Sequence, residues 1–146
     1  MTPAAIAFLC ITGVFTTFEV LGMNWTKLTL IIDEIEFERS GEIGIFIFLE
    51  DGFPKKHEKA IKRYCFDVTQ KSNQLVIEVP DIAFAIKAHH DEDRSGTMTK
   101  NWTGIIPAEG LGFSSGARMG FGPPTFNEAM VNIPASNKIR LRMVYP

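Results

Sequence analysis

A short acidic segment holds the residues best suited to chemistry, because its oxygen-bearing side chains recur at alternate positions. The series is Asp91, Asp93, Ser95, Thr97 and Thr99. Gly96 falls at the sixth position of this segment, where calcium-binding loops use a glycine for a sharp turn, and the seventh residue of such loops contributes a backbone carbonyl. The spacing therefore predicts a weak calcium site with these five residues as candidate ligands and Ca²⁺ as the candidate cofactor.

The agreement with a calcium loop ends after its first half. Trp102 stands at the twelfth position, where such loops carry a bidentate glutamate. Glu109, in the following turn, could complete the ligand shell, or Glu92 could assist. The alternative interpretation is a solvated acidic turn between strands, in which Asp91 and Asp93 accept hydrogen bonds from backbone amides.

The three histidines do not indicate a transition-metal site. His89 and His90 are neighbours in a predicted strand, so their imidazoles point to opposite sides of the sheet and cannot easily bind one ion. His57 lies in a basic segment and has no reason to approach them. We therefore do not expect the histidines to hold a metal.

Residues 112–116 fit the G-x-S-x-G pattern of a nucleophile elbow centred on Ser114. An elbow needs a strand before the serine, a helix after it and a histidine further along the chain. All three histidines precede Ser114, and the residues that follow it show no helical pattern. Hydrolase chemistry at this motif is therefore rejected.

Length and charge place the chain among ordinary globular domains. Its 146 residues suffice for one domain with its own core. The 15 basic and 17 acidic residues give a net charge of −2, which argues against a nucleic-acid binder and against binding to anionic membranes. Two cysteines, Cys10 and Cys65, are too few for a disulfide scaffold or a cysteine-built zinc site.

The beginning of the chain has the character of a signal peptide. Residues 1–22 contain one charged side chain, Glu19, and the apolar run over residues 4–14 has the length of a signal-peptide core. No basic residue precedes this run and no Ala-x-Ala motif follows it, so an uncleaved membrane anchor and a buried first strand are the alternatives. We expect a leader over residues 1–22, a single domain over residues 23–146, and export to the periplasm or the extracellular space. Membrane contact is expected only through an uncleaved leader, and cleavage would leave Cys65 without a partner cysteine.

Hydrophobic patterning predicts an all-β fold, since apolar and polar residues alternate with the period of half-buried strands. The predicted strands cover residues 27–37, 43–49, 64–68, 75–79, 82–90 and 138–144. One or two helical turns are predicted within residues 55–63. A second short helix is predicted after Pro124, inside a long ordered loop over residues 90–137. Short strands without strand–helix alternation predict an antiparallel β-sandwich with one or two short helices.

Several motifs in a fixed order resemble a known family. They are Gly52-Phe53-Pro54, Glu58-Lys59-Ala60, His90-Asp91-Glu92-Asp93, Gly104-Ile105-Ile106-Pro107-Ala108-Glu109-Gly110, Gly112-Phe113-Ser114, Ala117-Arg118 and Gly122-Pro123-Pro124-Thr125-Phe126. Together they closely resemble the bacterial family catalogued as domain of unknown function 2141, from about Leu28 to the C-terminus. The resemblance implies an exported bacterial protein with a prealbumin-like or immunoglobulin-like sandwich, and it brings no established activity.

The long loop is the predicted working surface. The candidate binding or loop-locking residues are His90, Trp102, Glu109, Phe113 and Arg118. Arg118 lies among glycines and apolar residues, where its guanidinium could tie loop carbonyls together or hold the carboxylate of Glu109. The aromatic side chains could contact a ligand, or they could seal the end of the sandwich.

Two functions remain open on the sequence alone. The preferred one is a non-enzymatic exported module that binds a protein partner, a peptide or an envelope glycan. The alternative is a small enzyme for an anionic substrate, with His90 as acid or base and Arg118 as anion clamp beside Asp91 and Glu109. Geometry separates the two, because an enzyme needs these four side chains around one concave pocket.

Overall fold

The computed structural model describes residues 23–94 and 109–146, so the predicted leader lies outside the described residues. The strands are β1 (Trp25–Asp33), β2 (Glu42–Phe48), β3 (Lys62–Asp67), β4 (Gln74–Pro80), β5 (Ala85–Asp91), β6 (Leu111–Phe113) and β7 (Lys138–Arg142). Short helical segments are the α-helix α1 (Phe126–Ala129) and 3-10 turns at His57–Lys59, Val68–Gln70 and Ser114–Gly116. The prediction of an all-β fold with few short helices is confirmed.

The strands form two sheets in a sandwich-like arrangement. One sheet has the order β4-β1-β7 and the other has the order β3-β2-β5-β6. Every pair in the four-stranded sheet is antiparallel, as is the pairing of β1 with β4. The pairing of β1 with β7 is parallel, which differs from the fully antiparallel sheets that the sequence predicts.

The main core lies between the sheets and follows the period-two pattern of the sequence. Leu28, Leu30 and Ile32 of β1 are buried, as are Ile43, Ile45 and Ile47 of β2. Strand β7 buries Ile139 and Leu141 while its arginines stay exposed, which confirms the predicted two-faced strand. Burial of these side chains stabilises the fold by roughly 1.5–3 kcal/mol each.

The four-stranded sheet is also covered on its outer face, away from the other sheet. All seven residues of β5 are buried, because a second apolar cluster packs on that side. The buried members of this cluster are Ala85, Leu111, Phe113 and Ala129, with Phe53, Ala117 and Phe126 packed against them. Polar residues of β5 that an uncovered sheet would leave in water are therefore enclosed.

Two segments differ from their predicted structure. The predicted helical turns within residues 55–63 shorten to a 3-10 turn, because Lys62 already pairs with Ile47 as part of β3. The predicted long loop contains strand β6, which pairs with β5 in register from Lys87↔Phe113 to His89↔Leu111. The predicted helix after Pro124 is confirmed, and Thr125 with Glu128 forms a capping box at its start.

Cys65 is disulfide-bonded in the full chain. The unpaired thiol expected after removal of the leader concerns the cleaved chain and stays a prediction. Cys10, the other cysteine of the sequence, lies outside the described residues. No helix among residues 23–94 and 109–146 has the length and the apolar character needed to cross a membrane.

Candidate functional site

Strand β5 positions a row of polar side chains on the outer face of the four-stranded sheet. Lys87, His89 and Asp91 alternate along the strand and so share this face. They are enclosed by β6, by the turn that carries Pro54 and His57, and by Glu109. Between 2% and 4% of the surface of each of these three residues is exposed. A buried polar row of this kind must be satisfied by its own partners, so its contacts decide its chemistry.

Three carboxylates converge at the end of this row. Asp91, Asp93 and Glu109 each offer an oxygen, and these oxygens lie within 4.8 Å of one another. Asp91 and Glu109 are buried, whereas Asp93 is exposed. Oxygens that bind one Ca²⁺ at 2.3–2.6 Å lie at most about 5 Å apart, so this carboxylate cluster has a suitable size for that ion.

Glu109 links the carboxylate cluster to the histidine of the row. Its Oε2 accepts a hydrogen bond from the backbone N–H of Glu92 at 2.7 Å, and its Oε1 lies 3.4 Å from Nε2 of His89. Burial lowers the pKa of His89 below its ordinary value, although the nearby carboxylate of Glu109 opposes the shift. His89 is therefore neutral at pH 7 and orients Glu109 without a full ion pair.

Lys87 lies next in the row and is enclosed by apolar and histidine side chains. Its Nζ donates to the carbonyl of Pro54 at 3.0 Å and contacts Nε2 of His57 at 2.8 Å. Burial lowers the pKa of Lys87 to about 8. The ring of His57 stacks on Phe46 with the two centroids 4.0 Å apart. Lys87 is thus an internal donor that holds the turn carrying Pro54 and His57 against the sheet.

The expectation that His57 has no reason to approach the other histidines is wrong. Its ring centroid lies 5.9 Å from that of His89, because the turn between β2 and β3 folds over the outer face of the sheet. Lys87, which sequence reasoning missed, holds His57 there. The period of β5 could have indicated that Lys87 shares a face with His89. The approach of His57 has no local signal, since it depends on packing between distant segments.

His90 points to the opposite side of β5, into the interior of the sandwich. Its Nδ1 lies 2.7 Å from the hydroxyl of Tyr145, and its Nε2 lies 2.9 Å from the carbonyl oxygen of Ser40. The structure therefore places the imidazole of His90 apart from Asp91 and Glu109. It is His89 that contacts Glu109.

Arg118 lines a cavity of about 270 Å³ together with Glu109 and Phe113. The structure therefore brings Arg118 and Glu109 to one concavity, without an ion pair between them. Phe113 is buried and forms part of the cavity wall and of the second apolar cluster. The remaining predicted residues lie outside the described part of the chain: Ser95, Thr97, Thr99 and Trp102.

Ser114 has a structural role in the described part of the chain. Its hydroxyl donates to the carbonyl of Ala129 at 2.5 Å and accepts from the N–H of Ile86 at 2.9 Å. The side chain is fully buried. It ties α1 to β5, in keeping with the rejection of the nucleophile-elbow interpretation.

These features define a β-sandwich domain with a buried polar row that ends in a carboxylate cluster. The model of a bacterial family described as "Uncharacterized protein conserved in bacteria (DUF2141)" matches residues 32–140. The chain belongs to this family, which confirms the resemblance seen in its motifs. No curated protein and no solved structure matches the chain.

Proposed function

We propose that this protein is an exported, non-enzymatic binding module of the bacterial envelope, whose long loop is stiffened by a calcium ion at the carboxylate cluster. The observation that carries this proposal is the convergence of Asp91, Asp93 and Glu109 within 4.8 Å. The three carboxylates come from the two chain segments that flank residues 95–108. One ion would therefore hold both ends of that segment.

Electrostatics supports a cation at this position. Carboxylates whose oxygens lie within 4.8 Å of one another repel each other when ionised. Asp91 and Glu109 are buried, so water screens them less than it screens exposed acids. A divalent cation between them replaces this repulsion with attraction.

The ligand chemistry favours calcium over a transition metal. The carboxylate cluster offers oxygen ligands, which suit hard cations such as Ca²⁺. The Nε2 atom of His89 is directed at Glu109, as expected for a side chain that orients a ligand. Ser95, Thr97 and Thr99 are proposed to supply further oxygens.

Calcium is expected to raise the melting temperature of the wild-type protein and to have no such effect on an Asp91→Asn, Asp93→Asn double variant. At a concentration of about one hundred times Kd, an ion that binds only the folded state adds about 2.7 kcal/mol, or roughly 5–10 °C for a domain of this size. In chelator the double variant is expected to melt at a higher temperature than the wild type, because the asparagines remove the carboxylate repulsion. Thermal melts of the full chain in 10 mM Ca²⁺ and in chelator measure both effects.

A double variant of two exposed acids outside the carboxylate cluster, Asp51→Asn with Glu58→Gln, serves as the control for charge. It is expected to retain the full calcium response, since neither residue belongs to the cluster. Equal melting temperatures of the wild type in Ca²⁺ and in chelator would refute the calcium site. The carboxylates would then serve as acceptors for backbone amides.

Export is supported by the apolar run over residues 4–14. We expect the tagged full chain, expressed in a bacterium, to appear in the periplasm or the medium at a mass lower by about the leader of residues 1–22. A Leu9→Asp, Ile11→Asp variant should stay in the cytoplasm, because charge interrupts the apolar core. Fractionation that leaves both proteins in the cytoplasm would contradict export.

The position of His90 supports a binding module over the enzyme alternative. An enzyme built from His90, Asp91, Glu109 and Arg118 needs all four side chains at one cavity. The imidazole of His90 instead contacts Tyr145 and Ser40 on the other side of β5. The proposed binding surface is the loop side of the sandwich, where Arg118 and Phe113 line the cavity and Phe121 is fully exposed. The proposed partners are an envelope protein, peptide or glycan.

A further inference from the structure

A cleft lies between the segment that begins with β6 and the residues around the end of β7. Its volume is about 270 Å³, near the lower end for small-molecule sites. The residues that give it its character are Leu111, Phe113, Arg118, Met119, Arg142 and Tyr145. We call it the arginine cleft. Its walls are mainly apolar and aromatic, with Arg118, Arg142 and Glu109 as the charged residues, a composition typical of sites for small amphipathic ligands. Glu109 is buried, and its two carboxylate oxygens already contact the backbone N–H of Glu92 and Nε2 of His89.

The two arginines of the cleft differ from Arg39, Arg94 and Arg140, which form ion pairs with acids. Arg39 pairs with Glu36 and Glu92, and Arg140 pairs with Asp33. Arg118 and Arg142 are exposed, and within residues 23–94 and 109–146 neither forms an ion pair. Two such guanidinium groups at one apolar cleft offer a site for an anion, since an arginine fork matches a carboxylate in shape and charge.

An adjoining cavity limits how much negative charge a ligand can carry. This cavity of about 490 Å³ shares Arg118, Arg142 and Tyr145 with the arginine cleft, and three acids also line it. These acids are Glu34, Glu36 and Glu38. Because these acids lie beside the arginine cleft, a second negative charge on the ligand adds repulsion, so the surroundings disfavour dianions and polyanions.

We infer that the arginine cleft binds a small organic monocarboxylate, with the carboxylate between Arg118 and Arg142 and an apolar body over Leu111 and Phe113. The volume limits such a ligand to roughly ten to fifteen non-hydrogen atoms. This inference names the ligand class of the proposed binding module and rests on that proposal. It does not depend on export or on calcium.

A panel of four probes tests the inference by NMR titration of the full chain. The probes are 3-phenylpropionate, its uncharged amide, acetate and phenylsuccinate. We expect 3-phenylpropionate to bind with a Kd below about 1 mM and the other three to bind at least about tenfold more weakly. The amide tests the charge, acetate tests the apolar body, and phenylsuccinate, which keeps the phenyl group, tests the exclusion of a second charge.

Variants assign the binding to the two arginines. Arg118→Gln and Arg142→Gln are each expected to weaken 3-phenylpropionate binding by about tenfold, since each removes a charged hydrogen-bond donor. Arg140→Gln is the matched control, because Arg140 is also exposed on β7 but pairs with Asp33. It is expected to leave the affinity unchanged. All three arginines are exposed, so these variants are expected to fold, and a thermal melt checks this.

Equal binding of the acid and the amide would overturn the inference, as would unchanged affinity in both Arg118→Gln and Arg142→Gln. Absence of binding at 10 mM 3-phenylpropionate would also overturn it. The calcium melts distinguish this failure from failure of the proposed function. If calcium still raises the melting temperature but 3-phenylpropionate does not bind, only the ligand class is rejected. If calcium has no effect and 3-phenylpropionate does not bind, both the proposed function and the ligand class are rejected.

Discussion

Replacing Lys87 with methionine is expected to abolish a gain in stability that the wild-type protein shows between about pH 8 and pH 10.5. Burial lowers the pKa of Lys87 to about 8 in the folded protein, against 10.5 for an ordinary lysine. Between these values the unfolded chain keeps a proton that the folded chain has released. Stability must therefore rise with pH in this interval, by about 3 kcal/mol for a shift of this size.

Below pH 8 both states of the wild-type protein carry the proton, and the cost of the buried charge is constant. The methionine variant removes that cost, but it also leaves the carbonyl of Pro54 without the donor at 3.0 Å. We therefore expect wild type and variant to have similar stability at pH 7. At pH 10.5 the wild type is expected to be more stable by roughly 3 kcal/mol.

Urea unfolding at several pH values measures this difference, with Lys55→Met as the control at an exposed lysine. Other groups titrate in the same interval. Burial raises the pKa of Tyr145 to about 12, so its titration lowers stability above pH 10. Subtracting the variant curve from the wild-type curve cancels such contributions. Parallel curves for wild type and Lys87→Met would contradict the expected role of the buried lysine.

Gly41→Ala is expected to destabilise the protein by about 3–5 kcal/mol, enough to unfold many domains. Gly41 has a φ of +104°, a conformation that disfavours alanine. A Cβ atom there would lie 2.1 Å from the backbone oxygen of Asp91. Relief of this clash requires that the end of β5 move away from the turn before β2. The same movement would displace Asp91 from the carboxylate cluster.

Gly120→Ala is the matched control, because a Cβ at Gly120 would meet no atom within 4 Å and its backbone has no positive φ. We expect this variant to lie within about 0.5 kcal/mol of wild type. Urea unfolding at pH 7 compares the two variants. Equal stability of Gly41→Ala and Gly120→Ala would show that the turn before β2 can move away from β5 at little cost.

The sequence predicts the elements of the main core well, because each needs only a local pattern. The alternation in β1 and β7 follows from one buried and one exposed face. Strand β6 was missed because three residues, one of them Gly112, carry no detectable period. Strand β6 exists because it pairs with β5, and no local sequence pattern predicts that pairing.

The candidate site was predictable where it depends on position along one strand. Asp91 and Asp93 were identified by their spacing, and Glu109 by its place in the following turn. The choice between His89 and His90 could have followed from the same alternation, since His89 and Asp91 are two positions apart. The burial of Lys87 could not be predicted from this alternation, because the segments that cover it come from distant parts of the chain.

The parallel pairing of β1 with β7 has a consequence for folding during synthesis. Strand β1 is the first described strand and β7 the last, with register from Thr29↔Lys138 to Asp33↔Arg142. The three-stranded sheet cannot be completed until residue 142 has left the ribosome. A chain with so long-range a contact closes a large loop late and folds slowly. The sandwich therefore cannot complete its fold until nearly all of residues 23–146 have been synthesised, although the strands of the four-stranded sheet end at Phe113.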